Sequence, residues 1–202
     1  MPVDLTKTHL KYMNIGERYW ESALADLNQS QEKSLRSFLN KLEATIDRGI
    51  GLFLWGPNNT GKSYVSALLC KLVWAQYRVT SYCVTAAELK ESWIKSIPAH
   101  SGSDELMVDR VMTARYLVID DLGKEYRSDS GFAETNFGVL LRQRSRMKRV
   151  TNITSNLTPK EFGEVYGKST AQLVKECMYP VHFDGPDMRE QESQKITQFI
   201  NS

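Results

Sequence analysis

The chain has 202 residues, of which 41% are hydrophobic and 25% charged, and it carries a formal charge of +2. That length accommodates one sizeable core with at most a small appendage, and the balance of apolar and charged residues excludes a disordered chain or a fibrous repeat. The apolar runs at Gly51–Trp55 and Tyr116–Ile119 fall far short of the roughly 20 residues of a membrane span, and the opening MPVDLTKTHLKYMN lacks the basic-then-apolar order of a secretory signal. A cytoplasmic protein with no membrane partner is the expectation. Cys70, Cys83 and Cys177 are widely spaced, odd in number and without a CxxC pair, which points to a reducing compartment and to neither a disulfide framework nor a structural zinc site.

Residues 1–45 place Tyr19, Leu24, Leu27, Leu35, Phe38, Leu39 and Leu42 among alternating charges, a pattern of short amphipathic helices. Seven basic and seven acidic residues cancel over the first fifty positions, and no proline-rich or glycine-rich linker follows. The segment is expected to pack on the main domain, residues 46–202, as a helical cover or as a partner-docking arm. From Gly49 onward the pattern changes. GIGLFLW, RVTSYCV, RYLVID, RVTNITSN and YPVHFD are strand candidates with helical stretches between them. Apolar strands alternating with helices predict an α/β fold with a parallel sheet covered on both faces, its ligands gathered at the carboxyl ends of the strands.

The first of those strands runs into Gly56-Pro57-Asn58-Asn59-Thr60-Gly61-Lys62-Ser63 and then a helix-compatible stretch, a complete GxxxxGK[ST] phosphate loop in its strand-to-helix setting. A triphosphate needs several convergent N–H donors, and a loop ending at a helix N-terminus supplies donors and a favourable dipole together. Gly56 and Gly61 allow close backbone approach, Lys62 brings its ammonium to the outer phosphates, and Ser63 offers a hydroxyl to Mg2+. Thr60, Asn58 and Asn59 also read as simple turn formers. ATP and Mg2+ are the implied ligands.

Tyr116–Ile119 is a buried-type strand that ends in Asp120-Asp121. Beside a phosphate loop, the first acid of such an element holds the Mg2+ shell and the next orients and activates water, so Asp120 is assigned to the metal and Asp121 to the water. The run Val150–Ser155 ends in Asn156, whose uncharged amide suits a water or a γ-phosphate, although an Asn before Leu-Thr-Pro also reads as a helix-entry cap. Between these strands Arg142, Arg144, Arg146, Lys148 and Arg149 place five positive charges in eight residues. If that stretch is helical throughout, Arg142, Arg146 and Arg149 share one face, a stripe suited to phosphates of DNA, to a neighbouring subunit or to solvent. Trp93 with Lys90 and Lys95, the loop around Pro98 to Ser103, and Lys124 with Arg127 are secondary candidates for contact with DNA or for response to nucleotide.

The order GPNNTGKS, YLVIDDLGKEYRS, ITSNLTPKEF resembles the DnaC/IstB-like branch of AAA+ ATPases, over roughly residues 15 to 190, with Ile15-Gly16-Glu17-Arg18-Tyr19 similar to the family's entry segment and GPDMRE to its closing one. The resemblance implies a P-loop AAA+ core with a five-stranded parallel sheet behind a short helical N-terminal segment. It further implies ATP bound between subunits, self-association into an open ring or spiral, and loading of a hexameric replicative helicase on single-stranded DNA. Asn156 then corresponds to the first sensor, and Arg189 to the arginine near the nucleotide in the closing segment. Where relatives carry arginine-bearing elements after the sensor, this chain reads Tyr166-Gly167-Lys168-Ser169-Thr170-Ala171-Gln172, with no arginine between Arg149 and Arg189. Lys168 or Lys175 supplies charge without a planar fork, so weak or partner-dependent hydrolysis is expected. The short N-terminal region is compatible with a phage-encoded loader. An IstB-like transposition regulator and a nucleotide-gated DNA-binding module with negligible hydrolysis stay open beside the loader.

Overall fold

The computed structural model describes residues 5–95, 102–123, 131–184 and 187–201. Of the loop around Pro98 to Ser103, residues 98–101 lie outside those segments, as do Lys124 and Arg127. The chain runs α1 (Lys7–Tyr12), two single turns of 3-10 helix, α2 (Gln29–Leu39), α3 (Leu42–Arg48), β1 (Gly51–Trp55), α4 (Lys62–Tyr77), β2 (Ser81–Thr85), α5 (Ala86–Lys95), α6 (Gly102–Thr113), β3 (Tyr116–Leu122), α7 (Phe132–Arg146), β4 (Val150–Ser155), α8 (Pro159–Tyr166), α9 (Lys168–Cys177), β5 (Met178–His182) and α10 (Met188–Asn201). The five strands pair in parallel in the order β2-β3-β4-β1-β5. Each of the five strand candidates read from sequence contributes one of them.

Strand alternation divides the apolar residues between two cores. Leu52, Leu54, Tyr116 and Val118 face a cluster built with Val65, Leu69 and Val73 of α4 and with Leu35, Phe38, Leu42 and Ile46 of the N-terminal helices. Phe53, Leu117, Ile119 and Ile153 face the other cluster, with Leu89, Phe137, Leu140, Leu141, Phe162 and Val174 from α5 and α7 to α9. Residues 5–45 are therefore wall material for the first core: α3 runs across residue 45, and Leu10, Met13 and Ile15 are buried in the same cluster. The segment also closes one rim of the sheet, where the Cys83 N–H donates to the Met13 carbonyl at 2.8 Å and Asn14 Nδ2 donates to the Cys83 carbonyl at 2.8 Å.

Local chemistry sets the element ends. Asn28 caps α2 by accepting from the Gln31 N–H at 2.9 Å, while Gln31 Oε1 accepts from the Asn28 N–H at 3.0 Å. Thr158 and Glu161 form the same reciprocal cap at the start of α8, with Pro159 in the first turn. The helix entry after β4 thus belongs to Thr158 and not to Asn156. Cys70, Cys83 and Cys177 are all free thiols.

Candidate nucleotide-binding site

The phosphate loop is held open by its surroundings. As β1 ends, the Gly56 N–H donates to the Ser155 carbonyl at 3.2 Å and the Phe183 N–H donates to the Trp55 carbonyl at 2.8 Å. The chain then curls through positive φ at Gly56 (143°), Asn59 (63°) and Gly61 (92°) before α4 begins at Lys62. Positive φ favours glycine at both ends, and at Gly56 space requires it as well. A Cβ on Gly56 would stand 2.1 Å from the Phe183 carbonyl oxygen, whereas one on Gly61 would meet the flexible ends of the Gln31 and Met188 side chains at 2.7 Å. Inside the curl, Lys62 is 7% exposed, and its Nζ donates to the carbonyls of Gly56 at 2.8 Å and Pro57 at 2.5 Å. Thr60 Oγ1 donates to the Pro57 carbonyl at 3.0 Å, and Gln31 Nε2 donates to the Thr60 carbonyl at 2.8 Å, tying the loop to α2.

The two acids arrive through an irregularity in the sheet. β3 pairs with β4 at Ile119↔Ile153 and again at Leu122↔Ser155, so Asp120 and Asp121 together oppose the single residue Thr154. This is a β-bulge, and Asp121 takes the left-handed conformation, φ 62°, that accommodates it. In a regular strand successive side chains point to opposite faces; here both acids border hollows that they share with Ser63. Thr154 Oγ1 donates to Asp120 Oδ1 at 2.6 Å and accepts from the Asp121 N–H at 2.8 Å. Burial raises the Asp120 carboxyl above its ordinary value, and hydrogen bonds from Thr154 and Ser63 oppose that rise. Asn156 Nδ2 donates to Asp121 Oδ1 at 3.4 Å.

One cleft at the carboxyl end of the sheet brings together Asn58, Asn59, Gly61, Lys62 and Ser63 of the loop, Asp121, and Asn156. The cleft is also lined by residues to which sequence reasoning gives no role at the site: Arg18, Tyr19, Tyr64 and Thr154. In the sequence Arg18 and Tyr19 stand out only as part of an entry segment, and the one signal for Tyr64 is its place directly after Ser63. The Ala23 N–H donates to Tyr64 Oη at 3.0 Å, and Tyr64 Oη donates to Asp26, which fixes the ring beside the loop. Burial, reinforced by Asp26, pushes the Tyr64 phenol up to about 12. The closing segment also reaches the site: the Met188 N–H donates to the Asn59 carbonyl at 2.9 Å and Asn59 Nδ2 donates to Asp187 Oδ2 at 2.8 Å. Arg189 follows in the first turn of α10; its side chain lies outside the described residues.

The basic run needs correction. α7 ends at Arg146, and Lys148 turns the chain with φ 51°, so Arg149 does not share a helical face with Arg142 and Arg146. Its guanidinium donates instead to the Met112 carbonyl. Arg144 is fully buried: Nε donates to Thr151 Oγ1 at 2.8 Å, Nη1 to the Val111 carbonyl at 2.6 Å and Nη2 to the Val150 carbonyl at 2.6 Å. Two of the five cations therefore bind carbonyls at the end of α6 and the start of β4. Arg142, Arg146 and Lys148 remain exposed, with Arg142 Nη2 donating to Ser169 Oγ at 2.9 Å.

No family model and no curated protein matches the chain. Among solved structures, it superposes on the DnaC helicase loader with a TM-score of 0.71 at 19% identity, covering 84% of this chain and 100% of the other. DnaI gives a TM-score of 0.72 at 23% identity, covering 90% of this chain and 100% of that one. The fold is the one shared by the DnaC helicase loader and DnaI. The same fold extends to replication initiator DnaA bound to AMPPCP and single-stranded DNA, at a TM-score of 0.63 and 12% identity, covering 86% of this chain and 53% of DnaA. Among the described residues, no helix is long and apolar enough to cross a membrane.

Proposed function

We propose that the chain binds ATP with Mg2+ in this cleft, hydrolyses it, and uses the nucleotide state to place a hexameric replicative helicase on single-stranded DNA during initiation of replication. The observation that carries the reading is the meeting of Lys62, Ser63, Asp121 and Asn156 in one cleft where the β1, β3 and β4 strands end, with Asp120 tied to it through hydrogen bonds from Thr154 and Ser63. Ser63 and Asp120 are hard oxygen donors linked by a hydrogen bond, a donor set that suits Mg2+, and bound there the ion would neutralise charge on the phosphates. Lys62 and the amides of the curled loop hold the polyphosphate, Asp121 takes the proton of the attacking water, and Asn156 orients that water and Asp121. Similarity in fold to DnaC, DnaI and DnaA supports a role in starting replication, and a bacterial cytoplasm, of the cell or of a phage-infected cell, is where such work is done.

Asp121→Asn is expected to keep ATP affinity within a few-fold while turnover falls by about 10²–10³, the usual contribution of a positioned general base. Unchanged turnover would remove Asp121 from the chemistry. Self-association into an open ring or spiral and release on turnover belong to the same proposal. Pull-down from the native host in the presence of ATP tests the partner: retention of a replicative helicase supports the loader, and retention of a transposase alone supports the IstB-like reading.

Contact with DNA is assigned to Arg142 and Arg146, with Lys148 beside them in place of Arg149. Reversing both arginines to Glu should weaken single-stranded DNA binding and flatten its dependence on salt, the log–log slope falling by about 0.7 for each phosphate no longer neutralised. An identical slope would dismiss the patch.

A further inference from the structure

We propose that Thr154 is a positioning residue for the metal and water side of this site, holding the two acids in register through the bulge. This inference rests on the reading of the cleft as an MgATP site. The bulge sets Asp120 and Asp121 against one residue of β4, and the extra residue leaves a backbone N–H that the regular ladder does not satisfy. Thr154 occupies that position, is 1% exposed, and accepts the Asp121 N–H at 2.8 Å. A hydroxyl has a single proton to give, and Thr154 gives it to Asp120 Oδ1 at 2.6 Å. One side chain thereby fixes the backbone of one acid and the carboxylate of the other.

The consequence is directional. With Oδ1 engaged by Thr154, the orientation of the Asp120 carboxylate relative to Ser63 is set before any ligand arrives. With the Asp121 N–H engaged, its left-handed backbone is held, and its carboxylate stays in contact with Asn156 at 3.4 Å. Valine matches threonine in shape and has no hydroxyl, so it removes both bonds. Ser155 bridges the same bulge in a purely structural way, its Oγ donating to the Leu122 carbonyl at 2.6 Å and accepting from the Leu157 N–H at 3.1 Å. It is the matched control.

The test measures binding of Mn2+ by electron paramagnetic resonance in the presence of AMPPCP, together with ATP turnover, for the wild type, Thr154→Val, Thr154→Ser and Ser155→Ala. Outer-shell groups of this kind are worth about 10–100-fold in metal affinity or activity. Thr154→Val should lose that factor in both Mn2+ affinity and kcat while KM for ATP moves little, Thr154→Ser should recover most of it, and Ser155→Ala should keep the wild-type Mn2+ affinity. Should Thr154→Val not fold, Thr154→Cys, similar in size with a weak donor, reads the same quantities. A wild type that binds Mn2+ with AMPPCP, alongside a Thr154→Val or Thr154→Cys protein of equal affinity and kcat, overturns the positioning role alone. A wild type that binds neither overturns the underlying reading as well.

Discussion

Replacing Lys62 by Ala is expected to lower ATP affinity by about 100-fold and to abolish measurable turnover. The ammonium sits within the curl of the loop, bonded to two of its carbonyls and largely shielded from water, so its attraction to phosphate is little screened. Charge-assisted hydrogen bonds contribute roughly 1.5–3 kcal/mol each, and a loss of about 2.7 kcal/mol corresponds to the 100-fold change. Isothermal titration with ATP and thermal melts with and without MgATP would measure it. Wild type at about 100 times its Kd should gain about 2.7 kcal/mol, and the variant should gain almost nothing at the same concentration. Equal nucleotide-induced shifts in the two proteins would place the polyphosphate elsewhere.

Arg144→Met should be the most destabilising single change in the basic run, at about 3–5 kcal/mol, since hydrogen bonds to a charged group contribute roughly 1.5–3 kcal/mol each. The guanidinium is fully buried and donates to the carbonyls of Val111 and Val150 and to Thr151. Methionine fills similar space and can donate to none of them. Burial, with a smaller contribution from Arg149, lowers the Arg144 pKa to about 9, so the group is still a cation at neutral pH. For a chain of this size the loss corresponds to a fall in Tm on the order of 10 °C. Urea or thermal unfolding decides the matter. A midpoint matching that of Arg146→Met, an exposed neighbour, would refute the structural role.

The same arginine shows where the sequence ceases to be readable. Five strands, the loop and the paired acids are legible because each is a local pattern: apolar runs set by strand alternation, glycines at fixed spacing, acids at the end of a buried run. Arg144 looks like one more solvated cation. Only the return of α6 toward β4 supplies the Val111 carbonyl that joins the nearby Val150 carbonyl in holding it, and nothing in VLLRQRSRMKR encodes that approach. Arg149 falls on a helical face if the pattern is continued through it, while the backbone leaves the helix at Met147 and Lys148. The bulge at Asp120-Asp121 is equally hidden, since a one-residue mismatch between paired strands has no signature in either strand alone. Arg18, Tyr19 and Tyr64 join the cleft for a similar reason: the N-terminal segment crosses α4, where Lys71 Nζ donates to the carbonyls of Tyr19, Trp20 and Ser22.

The N-terminal residues also stopper the outer margin of the sheet, through Met13 and Asn14 on Cys83 of β2. A bared strand margin is a template for foreign strands and for aggregation. Cutting away the first 20 residues is the obvious way to ask whether they grip another protein, yet the truncated chain would present that template and clump. Weak capture of a partner would then report sticky protein, not a missing handhold, and point substitutions on the outward side of α1 are the cleaner instrument.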